Sequence, residues 1–82
     1  MKIHVTEKHI RSGVRGSCSS DPISLAMKDA GLLKPWVSPD HITWDENHKH
    51  HSVETPDSVL YFIEMFDNNG YVVPFEFVLE GV

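Results

Sequence analysis

Two proline-marked helix starts divide this chain and leave few ways to fold it. Asp21 and Pro22 supply a capping side chain and a first-turn proline, and Ile23, Ala26, Met27 and Ala30 then recur at helical spacing until Gly31. Thr55, Pro56 and Asp57 repeat the signature. After them Val59, Phe62, Ile63 and Phe66 form one apolar stripe, which Asp67-Asn68-Asn69-Gly70 brings to an end.

Around these helices the apolar period shortens to two, the mark of half-buried strands. Lys2-Ile3-His4-Val5-Thr6 reads as a first strand, and Thr6 then caps a single helical turn through Glu7, Lys8, His9 and Ile10 that ends near Gly13. Pro35 and Pro39 bracket a turn-rich connection. Ile42 and Trp44 alternate with His41 and Thr43 in a second strand, and a polar hairpin loop, Asp45 to His50, returns through a short third strand, His51-Ser52-Val53-Glu54. In the last run, Tyr71 to Leu79, Phe75, Phe77 and Leu79 alternate with Glu76, Val78 and Glu80, while Pro74 sets the early part at a sheet edge or bulge.

The expected architecture is therefore α+β, a single small domain over residues 1–82 in the order β-α-β-β-α-β, with two helices on one face of an antiparallel sheet. That is the element order of a ferredoxin-like split βαβ fold, or of a looser variant. Right-handed crossovers would place the first and third strands centrally and the last strand beside the first. The open second face of the sheet would then be a binding surface.

Charge narrows the range of partners. The chain carries a net −5, and it is unevenly placed: residues 1–35 hold six Lys/Arg against three Asp/Glu, whereas residues 36–82 hold one Lys against nine Asp/Glu. No basic run exists to neutralise phosphates, so direct nucleic-acid binding is not expected. An acidic C-terminal half suits a basic protein partner, or a surface that imitates nucleic acid. The single cysteine forms no internal disulfide, and the sequence has no apolar segment of the roughly 20 residues that cross a bilayer or of signal-peptide type. The expectation is a cytoplasmic protein without a membrane partner and without a cofactor; a homo-oligomer is left open.

Three places carry candidate chemistry. In the stretch Ser12 to Pro22, a Gly/Ser-rich loop holding Arg15, Gly16, Ser17, Cys18, Ser19 and Ser20 runs into the Asp21 helix start. Unpaired N–H groups at a helix N-terminus attract anions and sharpen thiols, which makes the loop a candidate anion site and Cys18 a candidate reactive thiol. It is no P-loop, because the GKS/T ending is missing, and no base is placed by spacing to activate Cys18. Asp21 as the cap also competes for the same N–H groups. His48, His50 and His51 stand beside Asp45 and Glu46 as weak metal candidates, more readily understood as solvated histidines whose charge changes between about pH 5 and 8. Tyr61 and Met65 lie one helical turn apart and off the main apolar stripe; together with Trp36 and the exposed acids Glu76 and Glu80 they are the candidate partner-binding residues. No catalytic residue is identifiable.

Ile10-Arg11-Ser12-Gly13, Ser17-Cys18-Ser19 and the run Asp21 to Ala30 resemble a pattern found in small uncharacterised proteins encoded by bacteriophages and prophages. Thr55-Pro56, Val59, Phe62-Ile63, Phe66-Asp67 and Pro74-Phe75-Glu76-Phe77 look like the rest of that pattern. Similar proteins often carry a second cysteine directly before the proline, where this chain has Asp21. The resemblance implies a phage or prophage origin and transfers no catalytic residue; for an accessory protein of that size the economical mode of action is to bind a host protein. Three functions follow as expectations: a non-enzymatic accessory protein acting through its acidic half on a host nucleic-acid-handling protein, a binder of small anionic ligands at the Arg15 loop, and a Cys18-dependent enzyme or redox sensor.

Overall fold

The computed structural model describes residues 1–80. In chain order the elements are β1 (Lys2–Val5), α1 (Glu7–Ser12), α2 (Pro22–Asp29), β2 (Leu33–Val37), β3 (His41–Glu46), β4 (Lys49–Glu54), α3 (Asp57–Asp67) and β5 (Phe75–Val78). The protein is a small α+β structure with two antiparallel sheets, β1-β5 and β2-β3-β4.

Both proline-marked helices form where the sequence places them, although only one is capped by a side chain. Asp21 accepts a hydrogen bond from the Ser24 N–H at 2.9 Å, and Pro22 occupies the first turn of α2. Thr55, by contrast, does not cap α3. Its hydroxyl donates to the Ser38 carbonyl at 2.7 Å and its N–H to Asp40 at 3.1 Å, so it fastens the end of β4 to the β2–β3 turn, and Pro56 takes the cap position without a side-chain bond. The short helix after β1 also forms, with Thr6 as its cap and Gly13 at its end.

The single sheet of a ferredoxin-like order is not what the chain builds. Residues 33–37, which the prolines mark as a connection, form a third strand of the larger sheet, and this extra strand takes the place beside β3. Pro35 is tolerated because β2 lies at a sheet edge and its register shifts between Leu33 and Trp36, with Lys34 at φ +50°. The outer edge of β2 is closed at the Val37 N–H, which donates to the Cys18 carbonyl at 2.8 Å. With β2-β3-β4 paired by local connections, β1 pairs with β5 alone, in the register Lys2↔Val78 to Val5↔Phe75. The first and last strands are therefore neighbours as expected, but the first and third are not central strands of one sheet.

The Asp45–His50 region is tighter than a polar loop. Asn47 and His48 have φ +53° and +63°, the two positive values of a two-residue type I′ turn, so the β3–β4 ladder runs unbroken from Glu46↔Lys49 to His41↔Glu54.

One core lies between these elements. Ile3, Val5 and Phe77 from the small sheet face Ile23, Ala26 and Met27 of α2, with Ile42 and Trp44 of β3 and the α3 stripe Val59, Phe62 and Phe66 closing the cluster. The aromatic part is stacked: Phe62 lies 6.1 Å from Phe66 and 4.9 Å from Phe75, which lies 5.8 Å from Phe77. Such contacts add to the area term of burial. Truncating Phe62 or Phe66 to alanine removes a ring and leaves a cavity, a loss of about 3–5 kcal/mol against a total of about 5–15 kcal/mol for a small domain. Urea unfolding of each variant should show a much lower midpoint; a loss under about 1 kcal/mol would contradict the stacked core.

Candidate functional site

The Gly13–Ser20 loop makes its own internal bonds and docks on its neighbours. Val14 donates to the Ser20 carbonyl at 2.8 Å, and the Ser17 hydroxyl accepts from the N–H groups of Ser19 at 3.3 Å and Ser20 at 3.0 Å. Arg15 turns away from the α2 N-terminus. Its Nε donates to the Phe66 carbonyl at 3.1 Å and its guanidinium sits 5.0 Å from the centre of the Phe66 ring, a cation at the C-terminal end of α3. The Gly16 N–H donates to the Asp67 carboxylate at 3.0 Å, Gly16 standing at φ +75°. Cys18, half-buried, contributes its carbonyl, which accepts from the Ser24 hydroxyl at 2.9 Å as well as from Val37. Lys28 reaches the Ser19 carbonyl at 3.2 Å.

The three histidines have three settings. His48 occupies the type I′ turn, His50 is 2.8 Å from Asp45 through Nδ1, and the His51 ring stacks on Trp44 with centroids 5.3 Å apart. Among the described residues no group of three or more His, Cys, Asp or Glu is placed to hold a metal ion. Among them, too, no helix is long and apolar enough to cross a membrane.

A histidine that the sequence reading passed over is better held. His9, only 7% exposed, accepts the Thr6 N–H at Nδ1 over 3.0 Å, which leaves the proton on Nε2 for the 2.6 Å bond to Asp29. That bond holds the Asp29 carboxyl below the usual carboxylate range and pins α1 to the last turn of α2. A histidine three residues after a capping threonine was the available signal.

An apolar groove lies between α3 and the Gly70–Pro74 segment. Its volume of about 400 Å³ is lined by Ser58, Tyr61, Phe62, Tyr71, Val72, Val73 and Phe75. Its floor is the stacked Phe62–Phe75 pair, and its sides are Tyr61 and Tyr71, 68% and 86% exposed, with Val73 also open. Large apolar surface left in solvent beside a formed cleft marks a contact site. Of the expected partner-binding residues, Tyr61 lines this groove. Met65 is half-buried, its Cε lying against Gly70. Trp36, 51% exposed, stands on β2 in the other sheet. Glu76 sits on the small sheet within 3.4 Å of Lys2 and 3.1 Å of His4, surface pairs worth little, and Glu80 is exposed beyond β5. Tyr71 and Val73 went unread because their run scans as the start of a strand, whereas pairing begins only at Phe75.

Asp21 is only 4% exposed, and burial raises its carboxyl to about 6 against the lowering hydrogen bonds from Ser24, with the Asp67 charge adding to the rise. The folded state then binds this proton more tightly than the unfolded chain. Asp21 accordingly lowers stability progressively as pH rises from 3.8 to about 6, and the effect is level above that. Asp21→Asn keeps a capping oxygen and cannot titrate. Urea titrations at both ends of that window should show the wild type losing on the order of 2–3 kcal/mol relative to Asp21→Asn as pH rises; a constant difference would show that Asp21 is not perturbed. Compared with known proteins, this chain matches no protein-family model, no curated protein and no solved structure.

Proposed function

We propose that this protein is a non-enzymatic accessory factor of phage or prophage origin that works by binding a basic host protein of the nucleic-acid-handling type. The observation that carries this reading is the Tyr61/Tyr71 groove set in the acidic half of the chain: between Ser52 and Glu80 there are six acidic residues and no Lys, Arg or His. Aromatic anchors in a cleft supply most of the energy of a protein contact, and surrounding charge of one sign selects and steers a partner of the other. The phage origin rests on the sequence resemblance alone. The anionic-ligand and thiol readings have less support, because Arg15 and the Gly16 N–H are already engaged with α3 and Asp21 caps α2.

The test is capture from a bacterial lysate by the tagged protein and by Tyr61→Ala/Tyr71→Ala, both side chains being exposed enough to remove without unfolding, with melting temperature as the control. A basic protein should be retained at low salt, released at high salt, and held at least about tenfold more weakly by the double variant. Retention indifferent to both changes would overturn the proposal.

A further inference from the structure

We infer that the occupant of the Tyr61/Tyr71 groove is a proline-rich segment in the polyproline II conformation, flanked by Lys or Arg. This rests on the reading of the groove as a protein-binding site and names what it takes.

Backbone chemistry favours this ligand over a helix. Among the described residues, no backbone hydrogen bond is made by the N–H groups of Tyr71, Val72 or Val73, which form the non-helical side of the groove. A helix satisfies its own carbonyls except over its last turn, so a helix laid along the groove has no row of acceptors to offer these donors. A polyproline II segment has no internal hydrogen bonds, and all its carbonyls are free to accept. The same geometry disfavours an ordinary added strand. Met1 and Leu79 exchange bonds on the β1 side, so a ladder on the free edge of β5 would take its donors from residues 72, 74 and 76, and Pro74 has no N–H. A proline-rich ligand has few N–H groups of its own and asks for few acceptors in return.

Side-chain chemistry agrees. The groove presents the rings of Tyr61, Phe62, Tyr71 and Phe75, and aromatic-lined grooves hold the flat, pre-ordered rings of proline at low entropic cost. The two tyrosine hydroxyls can donate to ligand carbonyls. Charge sets the flanks: Asp57 and Glu64 stand one helical turn before and after Tyr61 on α3, and neither has an ion-pair partner among the described residues. A second copy of this chain would bring the same acids against them, whereas Lys or Arg would pair with them.

The experiment titrates the full 15N-labelled chain with a synthetic peptide of Pro-x-x-Pro repeats ending in arginines, and with a peptide of equal length and charge in which alanine replaces every proline. The expected result is amide shifts centred on Ser58, Tyr61 and Tyr71–Val73 with the first peptide, at least about tenfold weaker binding of the second, and a similar loss for Tyr61→Ala and for Tyr71→Ala. No shifts from the proline peptide, or equal or tighter binding of the alanine peptide, would overturn the inference. Adding the proline peptide to the lysate capture separates the two levels. If the captured protein depends on the tyrosines yet is not displaced by saturating peptide, this inference fails and the binding function stands; if capture does not depend on the tyrosines, the function itself fails.

Discussion

Helix α2 joins the two sheets, packing against β1 of the small sheet and β2 of the larger one. A two-stranded ribbon is marginal in water, and a three-stranded meander needs a covered apolar face. Both conditions are met by one short helix whose Ile23 and Met27 have no exposed surface. The start of that helix is therefore the point where small errors would spread furthest. Asp21 and Pro22 fix it from the sequence side, and the Cys18 carbonyl fixes it from outside by accepting from both Ser24 on α2 and Val37 on β2. The small residues of the preceding loop serve this seam. A Cβ on Gly13 would lie 2.5 Å from the Pro22 ring, so no larger residue fits there without moving the helix start.

What could be read from the chain and what could not divide along local and non-local causes. The helix starts, the alternation of Ile42 and Trp44, and the buried phenylalanine stripe are local patterns and appear where expected. The strand β2 was hidden by Pro35, a residue that argues against a strand unless one knows that this strand is an edge with a shifted register. The division into two sheets follows from β2 occupying the edge of β3, and no single segment encodes that. The same holds for the site. Tyr61 stood out as an apolar residue off its helix's buried stripe, but the groove needs Tyr71 and Val73 beside it, and only the tertiary fold puts them there.

The Arg15 loop shows how a promising chemical motif can be spent on structure. Glycines, serines, an arginine and a cysteine before a helix suggest a ligand, yet each polar group described above meets a partner within the protein. Arg15 satisfies a carbonyl at the end of α3, whose last turn contains no basic residue of its own. The loop thus ties residues fifty-one apart in sequence, binding the basic half to the acidic half. At the groove along Ser58, Tyr61 and Phe62 of α3, by contrast, the N–H groups of Tyr71, Val72 and Val73 make no backbone hydrogen bond among the described residues.

The pairing of β1 with β5 has a consequence for how the protein is made. Lys2 pairs with Val78, the Met1 amino group donates to the Leu79 carbonyl at 2.9 Å and the Leu79 N–H donates to the Met1 carbonyl at 2.8 Å, so six elements are synthesised between β1 and the strand it pairs with. During translation Ile3 and Val5 have no strand to pair with, and the β2-β3-β4 meander, built from near neighbours, can form earlier. Until β5 emerges from the ribosome the nascent chain presents an unpaired apolar strand, the interval in which a small protein of this topology is most exposed to chaperones and to its own neighbours on the polysome.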